Sequence, residues 1–471
     1  MDAEVLPSSP SPGEGGIDLT TGSVVGHLIR FSVPLLVGNA FHTAYSIVNA
    51  LWIGNRLGTN AMTAVAQIFP IFFVLMAIAL GLSLASTVLV SQAYGGQQWG
   101  HLQKVVQNSV VLMGLISLVC TVGGYFSAGW LLDLIGTPEV ALSMATSYLR
   151  LLVITIPFMF GIFLLASLMR GAGDSKTPVY FQAGALLITI ILDPILMFGW
   201  LGFPAMGLNG TVAANLTSQV IGVVALAVYL HHKGHIVAPD WRRLRLDLPT
   251  TLLTLKIGVP SMAQQALVSL GFFMIVRMVN SFGAHSAAAF GLATRIDQLA
   301  FMPAMAIGTA VSSLVGQNIG ARQYDRVHRF FRWGVIVSVG MTLVAFLLAV
   351  GIPSQLMRLF VSDADVIETG AHYLRVVSFA YLMFAVLFAS NGVINGAGHT
   401  LPTTMFTLIG FWAVRVPLAK YLSTEWSDVE GIWYAIVVSS AVGMTMSLTY
   451  YFSGLWKKPV KKREVVASSV D

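Results

Sequence analysis

Twelve long apolar runs, punctuated by glycine, proline and charge, divide the chain. They predict helices at about 28–53, 61–91, 104–132, 145–169, 178–201, 207–231, 252–281, 286–315, 327–354, 369–392, 400–422 and 431–455. Each is long enough to cross a bilayer core, which takes about 20 helical residues. The pattern also repeats. A shift of 225 residues lays Gly58 on Gly283, Gln92 on Gln317 and Gly95 on Gly320. The same shift lays Tyr148-Leu149-Arg150 on Tyr373-Leu374-Arg375 and Gly171-Ala172-Gly173 on Gly396-Ala397-Gly398, while Pro34 and Pro260 miss it by one residue. Apolar residues coincide by accident in such a chain, but glycine, glutamine and a Tyr-Leu-Arg triplet do so rarely. A period this long is no solenoid; it is a duplicated half-molecule, the build of a transporter with its substrate between the halves.

Composition agrees with a membrane protein. Hydrophobic residues make up 56% and charged residues 10%, against about a quarter charged in a soluble domain. The net charge of +6 sits in loops between apolar segments, which marks membrane orientation and not a nucleic-acid surface. Basic residues crowd alternate loops: Arg170 and Lys176, then Lys233, Arg242, Arg243 and Arg245, then Arg322, Arg326, Arg329 and Arg332, then Lys457, Lys458, Lys461, Lys462 and Arg463. The intervening loops carry acids such as Asp133, Glu139, Asp363, Asp365, Glu425 and Glu430. The positive-inside rule then places both termini in the cytoplasm, which demands an even number of spans.

Six spans per half make the repeat parallel, related by an axis along the membrane normal. The expected division is a disordered tail over 1–24, a six-helix lobe over 25–231, a cytoplasmic linker over 232–250, a second lobe over 251–456 and a basic tail over 457–471. The fold class is thus all-α and polytopic, with twelve spans in two lobes. The single cysteine, Cys120, excludes an intramolecular disulfide and a cysteine-based metal site. The run Arg170-Gly-Ala-Gly-Asp-Ser-Lys176-Thr177 superficially resembles a phosphate loop. It lacks the glycine directly before the lysine and the preceding strand, so it reads as a tight turn, and no cofactor or metal is expected. Without a nucleotide site, transport would be driven by an ion gradient.

Polar residues within spans are costly and therefore informative. Asp193, followed by Pro194 on the fifth helix, is foremost. A lone carboxylate in hydrocarbon pays for its charge by desolvation, which suits a proton carrier, and Thr189 shares its face. On the first helix His42 and Asn49 share a face, and on the sixth Thr211 pairs with Asn215 at i,i+4. These residues either line a polar pocket with Asp193 or make interhelical hydrogen bonds; His42 fits packing or gating. Gln264 and Gln265 open the seventh helix and fit a cavity wall. In the second half Arg295 and Asp297 cannot face each other, so Asp297 is expected to meet a base on another helix, with Arg415 the candidate; this set reads as structural or gating charge, and Arg277 as snorkelling.

The run Val48-Asn49-Ala-Leu-Trp-Ile-Gly54-Asn-Arg-Leu-Gly58 resembles the first-helix signature of multidrug and toxic compound extrusion (MATE) transporters. So do Val90-Ser-Gln92-Ala-Tyr-Gly95, Arg170-Gly-Ala-Gly-Asp174, Val315-Gly-Gln317-Asn-Ile-Gly320-Ala321 and Asn391-Gly-Val-Ile-Asn-Gly-Ala-Gly398. The resemblance covers residues 25–456, and Leu192-Asp193-Pro194 is similar to the DinF-like branch. It implies a twelve-helix antiporter of the cytoplasmic membrane, in which small organic, often cationic or amphiphilic, compounds leave in exchange for H+ or, as the alternative, Na+. Asp193 would be the fifth-helix acid of the ion-coupling site, with Thr189 and Thr211 at neighbouring polar positions. Relatives usually carry Asp where this chain has Asn49, and asparagine cannot titrate. An acidic seventh-helix position of the NorM-like branch is missing near Val268, which weighs against Na+ in the second half. The expected partners are substrate, coupling ion and lipid, with no nucleic acid, and the expected state is a monomer. The rival function is a flippase for a lipid or lipid-linked oligosaccharide; an enzyme would need a clustered catalytic constellation that the scattered histidines do not form.

Overall fold

A computed structural model describes residues 16–53, 57 and 59–458. Among them every regular element is helical. The elements are α1 (Val24–Trp52), α2 (Thr59–Gly95), α3 (Trp99–Leu134), α4 (Glu139–Gly171), α5 (Lys176–Phe198), α6 (Leu208–His232), α7 (Leu248–Asn280), α8 (Ala284–Gly320), α9 (Tyr324–Gly351), a short α10 (Pro353–Arg358), α11 (Ala364–Val377), α12 (Phe379–Gly396), α13 (Thr400–Thr407), α14 (Val416–Glu425) and α15 (Glu430–Phe452). Among the described residues 12 helices are long and apolar enough to cross a membrane. Helix is the form hydrocarbon imposes on an uninterrupted apolar run, because no water is there to satisfy the backbone.

Two of the expected helices differ in detail. The tenth segment is divided at Ser378 into amphipathic α11 and apolar α12, with no glycine or proline at the break. The eleventh carries a π-helical stretch, Leu408–Arg415, between α13 and α14; such stretches re-aim side chains and favour functional positions. Part of the expected disordered tail over 1–24 is ordered against the bundle. Residues from Gly16 onward are described and bonded to the bundle, and α1 starts at Val24; residues 1–15 and 459–471 lie outside the described residues.

Packing repeats with the sequence. In the first half α2 and α3 pack on α4, and in the second half α8 and α9 pack on α12. One core gathers residues from Ile53 to Ile257, and a second runs from Ile275 to Ile436. A third joins Leu28, Phe31 and Leu35 of α1 to Ile307, Leu314, Phe330, Tyr451 and Trp456. The beginning of α1 therefore packs in the second half, while α1 also packs on α5 of the first.

The halves meet at the end of the bundle that carries both ends of the described chain. There Gln92 Nε2 donates to the Gly396 carbonyl (2.9 Å) and Gln317 Nε2 donates to the Gly171 carbonyl (3.0 Å). All four residues belong to the 225-residue repeat, so one hydrogen bond is the repeat image of the other. Gly95 and Gly320 make room for this crossing. A Cβ on Gly95 would lie 1.9 Å from the Gln317 oxygen, and one on Gly320 would lie 2.0 Å from the Gln92 oxygen. Only glycine permits backbones to approach so closely.

Candidate functional site

Three helices bring ladders of polar residues together in the first half. On α5 the buried positions Ala185, Thr189, Asp193 and Met197 recur every fourth residue, while Leu187 and Ile191 are exposed. That spacing lays one stripe along the helix face turned into the bundle. On α1 His42, Tyr45 and Asn49 stand three and four residues apart, and on α6 Thr211, Asn215 and Gln219 stand four apart.

Asp193 is 1% exposed. Its Oδ2 accepts from the Tyr45 hydroxyl (3.2 Å) and from Asn49 Nδ2 (3.0 Å), and Asn49 Nδ2 lies 3.4 Å from the Tyr45 oxygen. Its Oδ1 is buried and has no hydrogen-bond partner among the described residues. Tyr45 also contacts Asn215, which accepts from Gln219 Nε2. Tyr148 of α4 contacts Thr211 and lies within electrostatic reach of Asp193. The site is thus a carboxylate with one oxygen fastened by two donors and the other free, at the non-terminal end of the first half.

Of the residues expected here, Asn49 meets Asp193 directly. Asn215 and Thr211 join through the tyrosines. Thr189 shares the Asp193 face, but its hydroxyl donates to the Ala185 carbonyl (2.9 Å) and not to the carboxylate. His42 is exposed, one turn before Tyr45, and no hydrogen bond among the described residues ties it to Asp193. Gln264 Nε2 donates to Thr407 Oγ1 (3.1 Å), which fastens α7 to α13, and Gln265 is exposed. Tyr45 and Tyr148 were missed. Both left a signal: Tyr45 lies on the His42–Asn49 face, and Tyr148 opens the repeated Tyr-Leu-Arg triplet.

The second half builds a different carboxylate cluster and corrects one expectation. Asp297 of α8 does not pair with Arg415. Its Oδ2 accepts from the Tyr373 hydroxyl and its Oδ1 from the Tyr381 hydroxyl (2.5 Å). Arg415, carried by the π-helical stretch, donates through Nε to Ser439 Oγ (2.7 Å) and through Nη2 to Ser440 Oγ (3.3 Å). Its guanidinium stacks 3.8 Å from the Phe411 ring centroid. Two hydroxyls close to Asp297 satisfy it locally, and the arginine is held by serine and aromatic partners instead. Arg295 and Arg277 are exposed on their helices.

The arrangement fits a membrane transporter: a duplicated helical bundle with one buried acid in each half, of which Asp193 keeps an oxygen without a partner among the described residues. The MatE family pattern matches residues 34–195 and 260–420, once in each repeat and within one residue of the 225-residue offset. The chain belongs to the MATE transporter family and is not an enzyme. It is 31% identical over 440 residues to the probable multidrug resistance protein YoeA of Bacillus subtilis, covering 93% of this chain and 95% of that one. It is 33% identical to YpnP of the same organism, covering 93% and 97%. Among solved structures it shares its fold with an outward-facing multidrug resistance MATE family transporter, at a TM-score of 0.87 and 20% identity over 93% of this chain and 97% of that one.

Proposed function

We propose that the chain is a proton-driven antiporter that exports organic cationic or amphiphilic compounds across the cytoplasmic membrane, with Asp193 as the group that exchanges the proton. The observation that carries this reading is the free Asp193 Oδ1, a buried acceptor left open beside an oxygen already held by two donors. Buried polar atoms are nearly always satisfied, so an orphan one asks for an occupant. A proton fits better than Na+. The neighbours of Asp193 present hydrogens to it, from Tyr45 and from Asn49 Nδ2, whereas a metal cation needs a shell of oxygen acceptors. The multidrug names of YoeA and YpnP support the cargo class.

Alternating access follows from the repeat. The Gln92–Gly396 and Gln317–Gly171 bonds hold the terminal-bearing end shut, and both would break when the lobes rock. Basic loops share that end with both termini, which supports a cytoplasmic location for it. The test is efflux from liposomes under imposed pH or Na+ gradients. Asp193→Asn should abolish pH-driven efflux while leaving the melting temperature in detergent unchanged. Undiminished pH-driven efflux by the variant would overturn the assignment.

A further inference from the structure

Residues Ile17–Gly22 lie across the shut end and bond to both halves. Ile17 N donates to the Ala172 carbonyl of the first half (2.9 Å). Leu19 N donates to Gln317 Oε1 of the second (3.1 Å). Asn318 Nδ2 donates to the Leu19 carbonyl (3.2 Å). Arg326 then gathers three carbonyls in its fork: Leu19 (3.2 Å) and Thr21 (2.9 Å) through Nη2, and Gly22 (3.0 Å) through Nη1. Its Nε donates to Asn318 Oδ1 (3.1 Å), which locks the two second-half residues into one receptor. The Leu19 side chain is buried in the core that joins α1 to the second half.

The strap uses the clamp itself. Gln317 donates through Nε2 to Gly171 of the first half and accepts through Oε1 from Leu19. Both ends of its amide are therefore fixed. The repeat twin, Gln92, has only its bond to Gly396 among the hydrogen bonds of its side chain given by the described residues. The asymmetry runs through the receptor as well. At the 225-residue offset Asn318 falls on Ala93 and Arg326 on His101, so neither the amide nor the guanidinium has a twin in the first half. The residues that correspond to the strap itself, 242–247, belong to the linker before α7, where Asp247 N donates to Asn108 (3.1 Å). The arginine fork on three backbone carbonyls is thus built from residue types that the repeat does not supply at the matching first-half positions.

We propose that Ile17–Gly22 is a latch that bolts the two lobes together at the terminal-bearing end and must detach before that end opens. The latch rests on the alternating-access reading above and goes beyond it. Charge-assisted bonds from arginine to backbone carbonyls are stronger than neutral ones, and those from Arg326 are made to a segment that also bonds to Ala172 of the opposite half. Their loss should favour the state open at this end.

The test reads the gate without any ion gradient, so a failure of proton coupling leaves it intact. In full-length protein with Cys120→Ala, a Ser91→Cys substitution places a thiol at a buried position beside Gly316, on the seam between the halves. Its maleimide labelling rate reports opening. Arg326→Ala removes the fork, and Ile17→Pro independently removes the N–H that reaches Ala172. Either variant should label about tenfold faster, the effect of losing roughly one net hydrogen bond's worth of closure. Arg329→Ala, an exposed neighbour that holds no strap carbonyl, should leave the rate unchanged. Unchanged rates for both Arg326→Ala and Ile17→Pro, with faster labelling on Gln317→Ala, would overturn the latch, as would equal acceleration by Arg329→Ala.

Discussion

Each half of the molecule buries one aspartate among tyrosines, and the two are finished differently. Asp297 has one hydroxyl on each oxygen, from Tyr373 and Tyr381. Asp193 has Tyr45 and Asn49 on one oxygen and, among the described residues, no partner on the other. A carboxylate with both oxygens capped is a strut between helices; one with an open oxygen has capacity left for chemistry. The repeat makes the contrast sharper, because Tyr148 and Tyr373 are repeat twins. The same tyrosine position bonds directly to the acid on α8 in one half, while in the other it contacts Thr211 and lies only within electrostatic reach of the acid on α5.

The largest predicted effect separates the two acids. Asp193→Asn should lose pH-driven efflux and keep its melting temperature. Asp297→Asn should do the reverse, since the amide nitrogen cannot accept from the tyrosine hydroxyl it would face, and a buried O–H left without its acceptor costs about 1–3 kcal/mol. Efflux per folded molecule measured beside thermal unfolding would collapse the distinction if both variants lost the same property. Next, Asn49→Asp would set a second carboxylate against Asp193. Proton counter-transport per substrate, measured as the gradient needed to balance a given substrate gradient, should rise; an unchanged ratio would show that position 49 does not share the exchange.

The gate glutamines offer a smaller contrast between the halves. Gln317→Ala should speed maleimide labelling of Ser91→Cys more than Gln92→Ala, by about threefold, because it loses the clamp and the strap contact together. Equal rates would mean the strap adds nothing to closure. The smallest effect belongs to Asp18 in the strap. Partial burial opposes its ionisation, but hydrogen bonds from Thr20 and Thr21 and the nearby Arg326 outweigh that and hold its carboxyl below the usual carboxylate value. A lowered folded value means its contribution is complete above the ordinary carboxylate range of about 4 and is lost only as pH falls through the folded value. Labelling should therefore be flat near neutral pH and quicken only in acid; quickening between pH 6 and 8 would contradict this.

Much of this was legible in the sequence. Hydropathy alone sets out the spans, since hydrocarbon allows a long apolar run little besides helix, and the fixed offset reveals the parallel halves. The meeting of Asn49 with Asp193 was approachable because a polar residue in hydrocarbon must have a partner. Tyrosine was harder. In a chain this apolar, Tyr45 and Tyr148 pass for ordinary aromatic packing until their hydroxyls are placed. The pairing of Asp297 with Arg415 failed for a related reason: charge complementarity suggested it, but hydrogen-bond geometry favoured the nearer tyrosines, and the π-helical stretch carried the arginine to Ser439. The strap escaped notice because its bonds come mainly from backbone groups, which composition does not reveal.

Gly95 and Gly320 set the halves backbone against backbone at the shut end. Side chains could slide past one another there and leave a thread of water between them, along which protons hop. Two main chains in contact leave no such thread. Each missing methyl group thus closes the seam at that crossing, where a leak of protons would drain any gradient on which transport drew.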